Sequence, residues 1–446
     1  MAIPATQVWE VRPTNGTANA GGGFDPSVAS PGTDYSQQDA VQIAYTDLVI
    51  GGTTTRLTSA GNAFTSAHVG NTIAITGGTG FTTGLYSVRS VSGSAATMDR
   101  SVGTGGSTGG TGNLGGARSG FTVGTTTLQA SLVAGNKTWV KNEAWNEAVS
   151  FTVAGSTTQP MVIEGYNTSR GDVPTGSSRP VNNRASAAGD GITLTVGNYR
   201  FYNIMVTAAG DAGVSTSSSI MMVNCRLYGN TGEGFEPTSG GGHTFINCEF
   251  DTNGTQGVGG TQFLGTLLGC YSHDNTGGGT TAPNSQATYL FCIFEANSAY
   301  NVSEGGGTLQ MLNCTVNGAV GATADGVIYT NNGTQTYLYN NIFSNNGRYG
   351  VNGNDVDGSQ SNYNDFFGNT TAARNNFVTG PNDLALDPTF TNAGAGDFSI
   401  GTNLKAAGFP GTFPAGLSTG YLDIGAVQRQ ESGGGGLAAN PLRGFL

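Results

Sequence analysis

The sequence predicts an all-β protein: a parallel β-helix in which short strands stack coil upon coil, with a small antiparallel β unit inserted near the N-terminus and a capping segment at the C-terminus. Three observations predict it. The five cysteines, Cys225, Cys248, Cys270, Cys292 and Cys314, follow one another at intervals of twenty-three and then three times twenty-two residues, and a fixed period of that size marks a solenoid or a propeller. The residues around each Cys repeat with it. The composition, 75 Gly and 37% apolar residues with only 10% charged, suits many turns between short apolar strands and departs from that of a disordered chain.

The repeats read MVNCRLYGNTGEGF, FINCEFDTNGTQGV, LLGCYSHDNTGGGT, YLFCIFEANSAYNV and MLNCTVNGAVGATADGV. Val223, Ile246, Leu268, Leu290 and Leu312 precede each Cys by two, and Leu227, Phe250, Ser272, Phe294 and Val316 follow by two. That is period-two alternation, a strand with Cys on its inward face. Asn230, Asn253, Asn275 and Asn297 follow the first four Cys by five, and Ala319 breaks the column. Phe235, Val258, Thr280 and Val302 follow by ten and begin a second short strand. Ile204 stands in the Cys slot one repeat earlier and Asn341 one repeat later, with Asn346 extending the Asn column. Asn364 opens a weaker final turn, and the long interval before Asn341 predicts a bulge near residues 320–325.

Stacked coils lie ~4.8 Å apart, so equivalent positions form columns along the axis. That spacing exceeds the ~3.8 Å between the Cβ atoms of a disulfide. The cysteines, odd in number and without a CxxC pair, therefore predict a reduced ladder rather than disulfides or a zinc site. The Asn column belongs at a turn, where Asn tolerates the left-handed conformation and its amide can bond along the stack.

Along the chain, residues 1–50 give a first strand and the entry to the helix. Residues 51–120 hold the inserted β unit and a Gly-rich connector. Residues 121–380 form the coils, and residues 381–430, richer in Pro and turn signals, form a closing segment that covers the open last coil. Residues 431–446 are a tail in which four glycines precede a short apolar peptide, and residues 437–446 are a candidate contact for another subunit.

A net charge of −11 lacks the basic footprint of a nucleic-acid binder. No apolar run approaches the ~20 residues of a membrane span, and the N-terminus shows no secretory signal. No cofactor or metal motif stands out. Asp355 and Asp357 lie in a turn-like stretch without the closing Glu of a calcium loop.

Chemistry, if present, belongs to outward columns. Three residues after each Cys come Tyr228, Asp251, His273, Glu295 and Asn317. If the register holds, Asp251, His273 and Glu295 stack on successive coils. The two carboxylates would then lie ~9–10 Å apart, near the ~6.5–9.5 Å of inverting glycosidases, with His273 between them to move protons. The alternative is a solvent-facing polar column whose charges relieve one another. Tyr228, Tyr271 and Tyr300 are candidates to stack on sugar faces, or else to pack against turns. His68 and His243 fall outside the column.

The opening VWEVRPTNGTANAGGGFDP, the stretch VIEGYNTSRGDVPTGSSRPV (162–181) and the closing DPTFTNAGAGDFSI…DIGAVQ, taken with the coils, resemble right-handed parallel β-helix proteins of the pectate-lyase-like superfamily. The resemblance implies a right-handed helix over most of the chain. It implies no single activity, because the superfamily includes polysaccharide lyases, glycoside hydrolases, phage tailspikes and non-catalytic virion proteins. Pectate lyases of this fold use clustered Asp for calcium and an Arg base, and no Asp cluster with a nearby Arg stands out in the linear sequence. With its inserted β unit and no signal peptide, the chain looks most like a phage-encoded structural or adhesive protein. That implies a spike, fibre or capsid decoration on the virion surface, homotrimeric, in contact with other virion proteins and with cell-surface polysaccharide. A polysaccharide-cleaving hydrolase or lyase is the alternative.

Overall fold

A computed structural model describes residues 4–37, 42–124, 127–260, 263–282, 286–331, 335–353, 358–409 and 422–428. The chain divides into two compact units, one of residues 1–182 with 196–202 and the other of residues 183–195 with 203–446.

In the first unit, Val8–Val11 pairs in parallel with Lys137–Lys141, which pairs in turn with Met161–Tyr166 and that with Tyr199–Tyr202. The opening strand is thus the first rung of a stack that resumes after the insertion. Trp9 anchors it, fully buried, with its indole N–H donated to Asn136 Oδ1 at 3.2 Å. Glu10, also buried, accepts from Tyr166 and Arg170, each at 2.7 Å.

The insertion is a closed antiparallel barrel of Ile43–Ile50, Arg56–Thr58, Thr72–Gly77, Gly84–Ser92, Ala95–Met98 and Gly110–Leu114. Closure removes the exposed edges that a small sheet would otherwise present. Leu48, Ile50, Ile73, Val88 and Leu114 fill it. Its first strand begins at Ile43, inside the stretch that the sequence assigned to the helix entry, because Ile43 and Ala44 pair with Leu114 and Asn113.

The second unit is a parallel β-helix with three strands to a coil. One coil runs through Gly241–Ile246, a corner at Asn247 and Cys248, the strand Glu249–Asp251, a corner at Thr252 and Asn253, and a third position at Val258. Each position pairs in parallel with its counterpart one coil on, as Phe245 with Leu267, Phe250 with Ser272 and Val258 with Thr280.

The structure corrects the alternation read around the cysteines. The inward residue of the preceding strand lies three places before Cys, at Met222, Phe245, Leu267, Tyr289 and Met311, all fully buried, whereas the residues two places before are only half-buried. The cause is the residue between. Asn224, Asn247, Gly269, Phe291 and Asn313 all take positive φ, from 51° to 64°. A left-handed residue breaks the period of two and turns the chain, so Cys occupies a corner rather than a strand interior.

The five cysteines are free and buried, as a reduced ladder requires. Their thiols do backbone work. Cys248, Cys270, Cys292 and Cys314 each donate to a carbonyl of the coil before, at Met222, Phe245, Leu267 and Tyr289, over 3.3 to 3.5 Å. Asn341 and Asn364 make the same contact with their amides, to Met311 and Leu338 at 2.9 and 2.8 Å. Their carbonyls also accept the backbone N–H of the corner before, from Cys314 and Asn341. Asp383 ends this column by accepting from Asn364 N–H at 3.0 Å.

The second column is an asparagine ladder at the other corner. Asn230, Asn253 and Asn275 each donate both backbone N–H and side-chain amide to the next Asn carbonyl, the amides at 2.9 Å. Where Ala319 interrupts the column, Asn301 reaches in, accepting from Asn297 at 2.8 Å and donating to Asn346 at 3.2 Å. The sequence missed this repair because Asn301 lies in a strand, four residues from the ladder position. The predicted bulge is real but divided: the register steps out by three residues before Asp325 and by two more before Gln335.

Two outcomes follow. A thiol reagent labels none of the five cysteines in the native protein and all five after unfolding in denaturant, because burial holds Cys248, Cys270 and Cys292 protonated well above the usual thiol range. Asn275→Ala removes the acceptor of two Asn253 donors and costs about 3 kcal/mol in denaturant unfolding, several times the cost of an exposed Asn substitution.

Candidate functional site

The strands that carry the candidate acids are three residues long and held between two left-handed corners, the second at Thr252, Asp274 and Ala296. This geometry leaves one residue inward, Phe250, Ser272 or Phe294, each fully buried. The residues on either side face out, so two columns run up the face. Tyr228, Asp251, His273, Glu295 and Asn317 stand in register as the spacing predicted. Beside them runs Arg226, Glu249, Tyr271, Ile293 and Thr315, one residue after each Cys. The sequence reading passed over this second column, although the same period exposes it.

Side chains of the two columns neutralise one another. Arg226 grips Asp251 with a fork, Nε to Oδ1 at 2.7 Å and Nη2 to Oδ2 at 2.8 Å. The Asp251 side chain is only 3% exposed. Arg226 also lies over the Tyr228 ring at 4.4 Å and 3.6 Å from Glu249. The His273 ring joins Glu249 through Nε2 at 3.3 Å and Asp274 through Nδ1 at 2.8 Å, and it stacks on Tyr271 at 4.0 Å between centroids. Tyr271 donates its hydroxyl to Glu295. Burial alone would lower the His273 pKa; the bonds to Glu249 and Asp274, with the charge of Asp251, outweigh it and raise the pKa. The Asp251 fork raises Arg226 further above its already high value.

The structure sets Arg226 beside one Asp and one Glu, Asp251 and Glu249, and so forms no Asp cluster of the calcium-binding kind. Arg226 and Asp251 are far apart in the chain, but the stacking of coils sets them on neighbouring strands. Glu249, Asp251 and His273 offer ligand atoms within 4.8 Å of one another, the spacing of a metal site. The chemistry of that donor set is compromised, because the guanidinium engages both Asp251 oxygens. A cation there would have to displace Arg226.

The closing segment covers part of this face. Phe398 and Ala426 pack on Ile293 and against Tyr271, and Ile400, Leu404 and Ile424 pack on Ile342. Ala426 N–H donates to Thr315 Oγ1 at 3.1 Å. The segment also closes the last coil, through a bridge of Leu384 to Asp365. The column of Tyr271, Ile293 and Thr315 is therefore partly covered by the chain itself, while Glu295 stays half-buried.

The three tyrosines do not form one platform. Tyr228 and Tyr271 share the face in different columns, one against Arg226 and the other against His273. Tyr300 belongs to the strand Tyr300–Glu304 of another sheet, where its hydroxyl meets Thr281 Oγ1 at 2.7 Å and Gln256 Nε2 at 3.4 Å. Asp355, Asp357 and the tail 431–446 lie outside the described residues.

The family model described as "Right handed beta helix region" matches residues 175–341 and 211–384. The fold is the right-handed parallel β-helix. No curated protein matches the chain. Among solved structures, the chain is similar to pectate lyase Pel9A, with 14% identity over 69% of this chain and 91% of that one, at a TM-score of 0.46. It is also similar to an alginate lyase from Paenibacillus sp. str. FPU-7, at 11% identity over 57% and 92% of the two chains and a TM-score of 0.36. A third is the GH136 lacto-N-biosidase from Eubacterium ramulus, at 8% identity over 57% and 62% and a TM-score of 0.33.

The geometry fixes how His273 titrates. Its imidazole protonates above 6.5, and Glu249→Gln lowers that value in an NMR titration of the ring. Since the folded value is the higher one, the stabilisation it provides is complete below 6.5 and lost as pH rises through the folded value.

Proposed function

We propose that the protein is a structural or adhesive β-helix protein and that its outward carboxylates hold the face together rather than cleave a substrate. One observation carries this reading: the acids in the column are already committed to partners within the face. Asp251 is forked by Arg226 and nearly inaccessible, and half-buried Glu295 accepts from Tyr271, whose ring packs against the closing segment. An inverting hydrolase needs an acid and a base facing a shared space wide enough for water. Here the space between Asp251 and Glu295 is occupied by His273 with its own bonds to Glu249 and Asp274.

The reading extends to display on the surface of a phage particle as a homotrimer, in contact with other virion proteins and with host-surface glycans. Side-chain ladders that repeat at every coil resist local unfolding without disulfides, and an acidic surface favours solubility. The half-exposed Tyr228–Arg226 pair is the glycan-facing element of this proposal. Sedimentation equilibrium that returns a monomer would remove the trimer.

A second reading, a polysaccharide-cleaving enzyme, is favoured by the grouping of Glu249 and Asp251 around His273, whose pKa is raised. One experiment separates the two. Wild type, Asp251→Asn and Glu295→Gln are incubated with neutral and uronate-containing bacterial glycans, and new reducing ends and unsaturated products are measured. The structural reading expects no product from any of the three, and a lower melting temperature for Asp251→Asn, which weakens the Arg226 fork. Turnover by wild type that both variants abolish would establish the enzyme.

A further inference from the structure

The last coil and the closing segment meet along a short parallel seam in the second unit, where Leu384 bridges to Asp365. The Leu384 N–H donates to the Asn364 carbonyl at 2.7 Å, and the Phe366 N–H donates to the Leu384 carbonyl at 3.0 Å. Two residues on, the ladder passes from backbone to side chain: the Leu386 N–H donates to Asp365 Oδ1 at 2.8 Å. Asp365 is fully buried, and its Oδ2 finds no donor among the described residues. In its outward column it follows Ile293, Thr315 and Ile342, and the closing segment packs on Ile293 and Ile342. An acid thus stands where the covered column is otherwise uncharged.

No basic side chain among the described residues offsets a charge on Asp365. The charged group that acts on it is Asp387, one residue beyond Leu386 on the segment itself, and its sign is the same. Arg374 is engaged elsewhere: it donates to Asp383 and lies over the Phe366 ring at 3.7 Å. Asp383 also accepts from Ser361, Asn364 and the Gly380 N–H. In the coil before, the paired strand Ile342–Ser344 brings no titratable side chain. Further along the segment, Asp423, beside Ile424, accepts the Ala406 N–H at 2.8 Å. Burial pushes the Asp365 pKa up to about 7; the Leu386 N–H opposes the shift and Asp387 adds to it.

We propose that Asp365 makes this seam a proton-dependent latch: the closing segment seats on the last coil while the carboxyl is neutral and loosens when it ionises. The cause is an asymmetry between the seated and lifted states. Seated, a charge on Asp365 is buried with one hydrogen bond and a like charge nearby; lifted, the same charge is in water. The proton therefore binds the seated state more tightly, and its loss favours lifting. From the ordinary 3.8 of an Asp to about 7, each rise in pH weakens the seating, and above about 7 the loss is complete. The segment that lifts is the one that packs on Ile342 and, further along, on Ile293 and against Tyr271. Ionisation thereby loosens the cover of the column beside the candidate site, whether that face is structural or catalytic.

Hydrogen exchange of the full chain tests this. Exchange is expressed as protection factors, which remove the intrinsic pH dependence of the amides, and local opening of the segment is read from them. In wild type, protection of residues 384–404 falls at least about tenfold between about pH 5 and pH 7 and levels off above it. The strand Phe263–Leu268, away from the seam, shows no matching fall. Asp365→Asn keeps an acceptor for the Leu386 N–H and removes the titration, so its protection stays level across the range. Asp387→Asn leaves Asp365 in place and removes the like charge, so its protection levels off at a lower pH than in wild type. Protection of residues 384–404 that is independent of pH in wild type overturns the proposal, as does a fall of the same size in both variants. A fall shared equally by Phe263–Leu268 would mean that the whole helix opens and would also overturn it.

Discussion

The structure depends on how a chain turns a corner every few residues inside a protein without leaving backbone groups unpaired. Strands of three residues cannot meet their hydrogen-bonding needs by length, so each corner must be both bent and satisfied. A left-handed residue supplies the bend, at Asn224, Asn247, Gly269, Phe291 and Asn313 before one column and at Thr252, Asp274 and Ala296 before the other. The side chain that follows supplies the satisfaction, by reaching one coil along the axis to a backbone group that the bend has exposed. Phe291 shows how strong the constraint is, since a bulky residue rarely takes positive φ unless its surroundings impose it.

Cysteine and asparagine are alternatives at one of these corners. A thiol donates to the carbonyl three places before the previous corner; an amide does the same and accepts an N–H as well. The exchange from Cys314 to Asn341 coincides with the bulged coils, where register shifts and the corner gains from a second bond. Asp383 is the logical end of such a column. It accepts the Asn364 backbone N–H of the coil before and continues the acceptor half of the column without the amide donor.

The same rigid corners determine the outward face. Because one residue in three is forced inward, the other two become neighbours of their counterparts one coil away, and charge pairing follows from vertical adjacency. Arg226 meets Asp251, His273 meets Glu249, and Tyr271 meets Glu295, each across coils rather than along the chain. Such a face can be an active site only if some group on it is left unengaged and open to solvent. The closing segment, packed across Ile293 and Ile342, works in the opposite direction.

Much of this was legible in the sequence. The period of the cysteines determined the solenoid, the reduced state of the ladder and the register of Asp251, His273 and Glu295, because a repeat places equivalent residues one strand spacing apart whatever else the chain does. The sequence alone could not show that Cys lies in a corner, since a left-handed residue leaves no mark in a pattern of apolar positions. Nor could it show that Asn301 replaces Ala319 in the ladder, that Arg226 occupies Asp251, or that residues near Phe398 and Ala426 lie over Tyr271. Those pairings join positions whose separations are not multiples of the period, and only the folded chain brings such positions into contact.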